Sequence, residues 1–172
     1  MKPSQLVLLG VLKNKKRIIL ENWFEKIVAA YPPETRVVLK RVGEQFANPV
    51  GSVLYRGIEG LLQSLVDGGE LVDMMPFIDE IMKVKAVYDS SPSRAVNYAF
   101  QLRQVIWDQA LDEINDGTVA VAELVKFDII IDNLTLASFE KYMKFQEQIY
   151  EVRATELRRR YHMLDRLASV GK

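Results

Sequence analysis

From Thr118 to Val170 the chain contains neither proline nor glycine. Apolar residues recur there at helical spacing, so the stretch predicts one helix of about 50 residues, far longer than the usual three or four turns. At about 100° per residue, Leu124, Ile131, Leu134, Tyr142, Phe145, Ile149 and Val152 share a broad apolar face, while Lys126, Asn133, Lys144 and Glu151 lie opposite. The segment is amphipathic for most of its length. Thr118, just after Asp116-Gly117, is the expected N-cap. Arg158-Arg159-Arg160 interrupts the apolar stripe, so the end of the rod is expected to project, to fray or to meet a second subunit.

The remainder is punctuated by proline and glycine into segments of helical rather than alternating periodicity, which predicts an all-α, single-domain bundle of about six helices. Its core is expected over about residues 4–152, with 153–172 as a basic helical extension. A first helical region from Ser4 to Tyr31 places Leu6, Leu9, Ile18, Ile19, Trp23, Ile27 and Val28 on a stripe, with a break near Gly10 to Asn14. Pro33 can open a second helix, with Glu34 near its positive end and Gly43 as its exit. Asn48 as cap and Pro49 as first residue open the third, in which Val50, Val53, Leu54, Gly57, Ile58, Leu61, Leu62 and Leu65 trace one face. Gly57 lies on that face, where a missing side chain permits a close helix crossing. A fourth helix is expected from near Asp73 to Tyr88, with Pro76 in its first turn and Phe77, Ile81 and Val84 inward. Ser91 and Pro92 repeat the cap logic for a fifth, running to about Asn115 with Ala95, Ala99, Leu102, Ile106 and Ile114 inward.

The composition excludes several classes. There is no cysteine, so disulfides, thiolate nucleophiles and cysteine-ligated metals are ruled out, and a reducing, cytoplasmic setting is expected. Positive charge follows rather than precedes the apolar run Leu6 to Leu12, the reverse of a secretion signal, and no apolar run reaches the length of a membrane span. Lys plus Arg equals Asp plus Glu at 23 each, which argues against a nucleic-acid partner or an anionic membrane. The distribution is uneven: residues 1–17 and 153–172 are basic, while 108–132 carries seven acids against Lys126 alone.

Candidate chemistry is sparse. His162, the single histidine, stands near the C-terminus beside Arg160 and Tyr161, a poor place for a metal ligand or a proximal haem ligand and a natural one for a surface residue. Asp128 and Asp132 are one helical turn apart at the edge of the apolar stripe, an acidic pair that can meet an arginine or lysine or hold a hard cation. Trp23, Phe24, Trp107 and Phe127 can build the core or line an apolar pocket between helices. No phosphate-binding loop, nucleophile elbow or dinucleotide fingerprint is present, so no cofactor and no enzymatic activity are expected.

Several short motifs, in order, resemble a known family. Tyr31-Pro32-Pro33-Glu34-Thr35, Phe46-Ala47-Asn48-Pro49-Val50-Gly51, Gly57 with Glu59 and Gly60, Lys83-Val84-Lys85-Ala86-Val87, and Ser91-Pro92-Ser93-Arg94-Ala95-Val96 are similar to the N-terminal domain of RsbRD-type proteins, the RsbT co-antagonists of bacterial stress signalling. The resemblance implies an all-helical sensor or regulatory input domain without catalysis, related to domains with globin-like packing that hold no haem. Such domains are usually joined to a STAS domain that a kinase phosphorylates, and this chain has no strand-rich segment of that kind. The expectation is therefore a regulatory module that acts through protein partners, as a homodimer, without nucleic acid or membrane insertion. The alternatives are a binder of a small apolar ligand near Trp23 and Trp107, and a metal-dependent enzyme using Asp128 and Asp132.

Overall fold

A computed structural model describes residues 7–41, 49–89 and 91–170, without the side chains of 49, 165 and 167–170. Among the described residues there are seven helices and no strand: α1 (Val7–Asn14), α2 (Lys16–Ala29), α3 (Pro33–Lys40), α4 (Pro49–Val66), α5 (Leu71–Tyr88), α6 (Pro92–Asn115) and α7 (Val121–Val170). The all-α bundle with its long last helix is as the periodicity indicates. The count is seven rather than six because the first helical region divides at Lys15, a little beyond the expected break.

The punctuation explains most of the boundaries. Pro33, Pro49 and Pro92 each occupy the first position of a helix, where the missing N–H would have had no intrahelical acceptor. Asn48, Phe46 and Gly43 lie outside the described residues. Ser91 is the N-cap of α6, its Oγ accepting the Arg94 N–H at 3.5 Å. α5 starts earlier than expected, at Leu71, because Asp73 sits at the third position and its carboxylate accepts the Glu70 N–H at 2.9 Å. Pro76 therefore lies in the second turn rather than the first. The helix tolerates it because the carbonyl left without a donor belongs to Val72, which is 69% exposed and open to solvent.

Thr118 does not cap the last helix, which starts at Val121. Gly117 adopts φ +80°, a left-handed conformation that glycine takes without strain, and the Thr118 N–H is held by Asp116 Oδ1 at 2.9 Å in the turn. The chain needs these residues to reverse direction before α7 can begin.

α5 lies along α4 and α7, α6 covers another flank of α7, and α2 packs on α6 and α4. The α4–α5 crossing is close. A Cβ at Gly57 would stand 2.8 Å from Ile81 Cγ1, and one at Gly60 would overlap the Phe77 ring. The predicted α4 stripe from Leu54 to Leu65 is buried. On α7, Leu124, Ile131, Leu134 and Tyr142 are buried and Phe145 and Ile149 partly so, but Val152 is 59% exposed. Ile18 is exposed as well, since α2 turns Ile19 rather than its neighbour toward the core. From Tyr150 onward every described side chain of α7 is exposed, so about 20 residues, or about 30 Å of helix, leave the bundle.

Candidate functional site

The four aromatics singled out in the sequence do not form one pocket wall. Trp23 is fully buried and stacks on Tyr98 at 6.0 Å between ring centroids, and its indole N–H donates to the Tyr98 carbonyl at 2.8 Å. Phe24 meets Tyr55 edge to face at 5.2 Å. Phe127 is fully buried. Trp107 is half-buried and donates its N–H to Asp128 Oδ1 at 3.2 Å. Each ring thus packs in the core or braces a neighbouring group.

Asp128 and Asp132 share a guanidinium. Arg103 of α6 places Nε 3.3 Å from Asp128 Oδ1, an ionic contact without hydrogen-bond alignment, and its Nη2 meets Asp132 Oδ1 directly. A cation bound between these carboxylates would have to displace that arginine. No group of three or more potential metal ligands occurs among the described residues. His162 is exposed on the projecting part of α7.

The most unusual polar chemistry lies elsewhere, where three separated motifs converge. Tyr31 closes α2, Lys85 belongs to the last turn of α5 and Asp89 ends that helix; all three are at most 5% exposed. Lys85 Nζ donates to Asp89 Oδ2 at 3.0 Å and to Tyr31 Oη at 3.1 Å, while the Tyr31 hydroxyl donates to Asp89 Oδ2 at 3.0 Å. Burial pushes the Lys85 ammonium below the usual lysine range, and Asp89 opposes that shift. Burial also drives the Tyr31 phenol far above its usual value, reinforced by the neighbouring Asp89 charge. A recess of about 160 Å³ opens over the triad, lined by Ile27, Tyr31, Lys85, Asp89, Arg94 and Asn97.

This cluster is connected to α7. Tyr142 donates its hydroxyl to the Asp89 carbonyl at 3.0 Å, and Gln146 Nε2 donates to the Ala86 carbonyl at 2.6 Å. These are carbonyls of the C-terminal turn of α5, which have no partner within their own helix. The long helix therefore serves as a side-chain cap for α5 at the place where the buried ion pair sits.

Sequence reasoning missed the triad, although one signal was available. Lys85 falls three, four and seven residues after Met82, Ile81 and Ile78, all buried, so it occupies an inward position on α5, with an aspartate one turn later. A lysine on the apolar face followed by an acid at i+4 marks a buried pair.

The outer face of α7 is the other conspicuous surface. Val125, Ile129, Leu136, Phe139, Met143 and Tyr150 are all exposed on it. Single exposed apolar residues are ordinary, but a continuous row is characteristic of a contact surface. No helix among the described residues is long and apolar enough to cross a membrane.

Comparison with known protein families gives a match over most of the chain. The family described as RsbT co-antagonist protein rsbRD N-terminal domain matches residues 18–157, from early α2 to just past the point where α7 leaves the bundle. No curated protein and no solved structure matches the chain.

Proposed function

The chain belongs to the RsbT co-antagonist rsbRD N-terminal domain family, and on that premise we propose that it is a non-enzymatic input module acting in the bacterial cytoplasm through protein–protein contacts. The working form is a homodimer, and α7 is the element that makes the contact. The single observation carrying this reading is the apolar row on α7, which the bundle leaves uncovered and which continues onto the projecting turns. In proteins most helical stability comes from packing of an apolar face, which favours a partner along the projecting turns.

The triad supplies a route from the body of the domain to that surface. Anything that changes the pairing of Lys85 and Asp89 acts on the end of α5, and Tyr142 and Gln146 carry the change to α7. The reading is tested by light scattering of the full chain and of a version ending after Gln148. The full chain is expected at twice its chain mass and the shortened one at a single chain mass. An unchanged oligomeric state on truncation would remove the distal helix from that role.

A further inference from the structure

Ile129, Leu136, Met143, Tyr150, Leu157 and Leu164 follow one another at intervals of seven residues, and all six are exposed. This repeat differs from the core stripe of α7, which ends at Ile149, whereas the outer repeat passes that point without interruption. A two-helix seam takes apolar residues at two positions of every seven; these six supply one of them, and the other is held by Val125 and Phe139 in the first half and by Asp132, Gln146, Arg153 and Arg160 elsewhere. At mid-helix the surface along the seam is mixed: Phe139, Met143 and Tyr150 lie beside Glu140, Lys144 and Glu147.

Charge is segregated along the same rod. Residues 121–140 carry Glu123, Asp128, Asp132 and Glu140 against Lys126 alone, a net of −3, while 153–170 carry five arginines against Glu156 and Asp165, a net of +3. A partner matched to only one half would leave the other unanswered. A second copy of the same helix, running in the opposite direction, matches both.

We infer that two copies pair through this seam with their α7 helices antiparallel and the two-fold axis between Gln146 and Glu147. The inference rests on the homodimer reading above and adds a direction and a register to it. The register is set by the repeat: about this axis each of the six seam residues meets another. Met143 faces the partner's Tyr150, Leu136 the partner's Leu157, and Ile129 the partner's Leu164. Phe139 falls opposite the partner's Ala154, large against small, and Glu140 opposite the partner's Arg153. The turns that leave one bundle after Ile149 lie along the first half of the partner's α7. Parallel pairing would stack the same seam, but it would set like-charged halves side by side along the rod.

Because the chain has no cysteine, single cysteines report the geometry directly. Leu136→Cys and Leu157→Cys are made separately and also co-expressed, then mildly oxidised, with light scattering on the unmodified chain in parallel. The co-expressed pair is expected to give about tenfold or more disulfide-linked dimer than either variant alone, because positions facing each other have a far higher effective concentration. In this register the two copies of position 136, and likewise of position 157, are about 21 residues apart along the rod, about 31 Å. Efficient linking of Leu157→Cys to itself would overturn the antiparallel arrangement and indicate a parallel one. A dimeric chain with no linking in the co-expressed pair would overturn the register while leaving the homodimer reading intact. A monomeric unmodified chain would remove both.

Discussion

Removing the Asp89 carboxylate leaves the Lys85 ammonium buried without its counter-charge, and breaking a buried pair in this way typically costs about 3–5 kcal/mol. Asp89→Asn is therefore expected to unfold at markedly lower urea, whereas Lys85→Met combined with Asp89→Leu and Tyr31→Phe is expected to lie within about 1–2 kcal/mol of the original, because both charges and the hydroxyl they bond leave together. A triple variant as unstable as the single one would show that packing, rather than charge, governs the site. The pH dependence of Asp89→Asn has a definite sign. Burial already holds Lys85 below the ordinary lysine value of 10.5, and loss of Asp89 takes away the opposing influence. Between its folded and unfolded values the unfolded state binds more protons, so stability rises with pH across that window. Denaturation midpoints of Asp89→Asn measured at increasing pH, below the range where tyrosines titrate, are expected to climb relative to the unmodified chain.

Among the helices, the tightest constraint is the α4–α5 seam. Alanine at Gly57 improves intrinsic helix propensity by about 1 kcal/mol, but its Cβ would press on Ile81, which is fully buried and cannot swing aside. Overpacking of this kind costs about 1–3 kcal/mol, so a net loss of about 1 kcal/mol is expected for Gly57→Ala in urea unfolding. A gain in stability would mean that the two helices separate easily. Local chemistry carries much of what could be read from the sequence at this scale. The prolines at 33, 49 and 92 mark helix starts because the restriction on φ and the missing N–H act within one turn. The break between α1 and α2, the tolerance of Pro76 and the delayed start of α7 were less legible. Each depends on surroundings: the exposure of Val72, the turn around Gly117, and the packing of two helices against α4 and α6. The triad was the least legible, because residues 31, 85 and 89 meet only once α2 and α5 have been brought together.

For the whole molecule, an antiparallel rod pair predicts a particular response to salt. Opposite charges facing each other across an exposed interface weaken as ionic strength rises, since the screening length falls from about 10 Å at 0.1 M to about 3 Å at 1 M. The dimer is expected to dissociate more readily at moderate sodium chloride, as followed by sedimentation at fixed protein concentration. A parallel rod pair, with like charges adjacent, would tighten instead. The outer seam could be found in the sequence only once the core stripe had been assigned and set aside, because both repeats share the same helix and overlap between Ile129 and Ile149. What told them apart was exposure, a property of the assembled bundle rather than of spacing.

The bonds from Tyr142 and Gln146 to the last carbonyls of α5 also limit how α7 can move. A small slide or roll of the long helix would strip both carbonyls of these donors, the buried Asp89 carbonyl at the greater cost. The next position that repeats the same side-chain facing is about one helical turn, or 5.4 Å, away. The rod is thus held like a latch in its notch: a shift of α7 along α5 costs both bonds together.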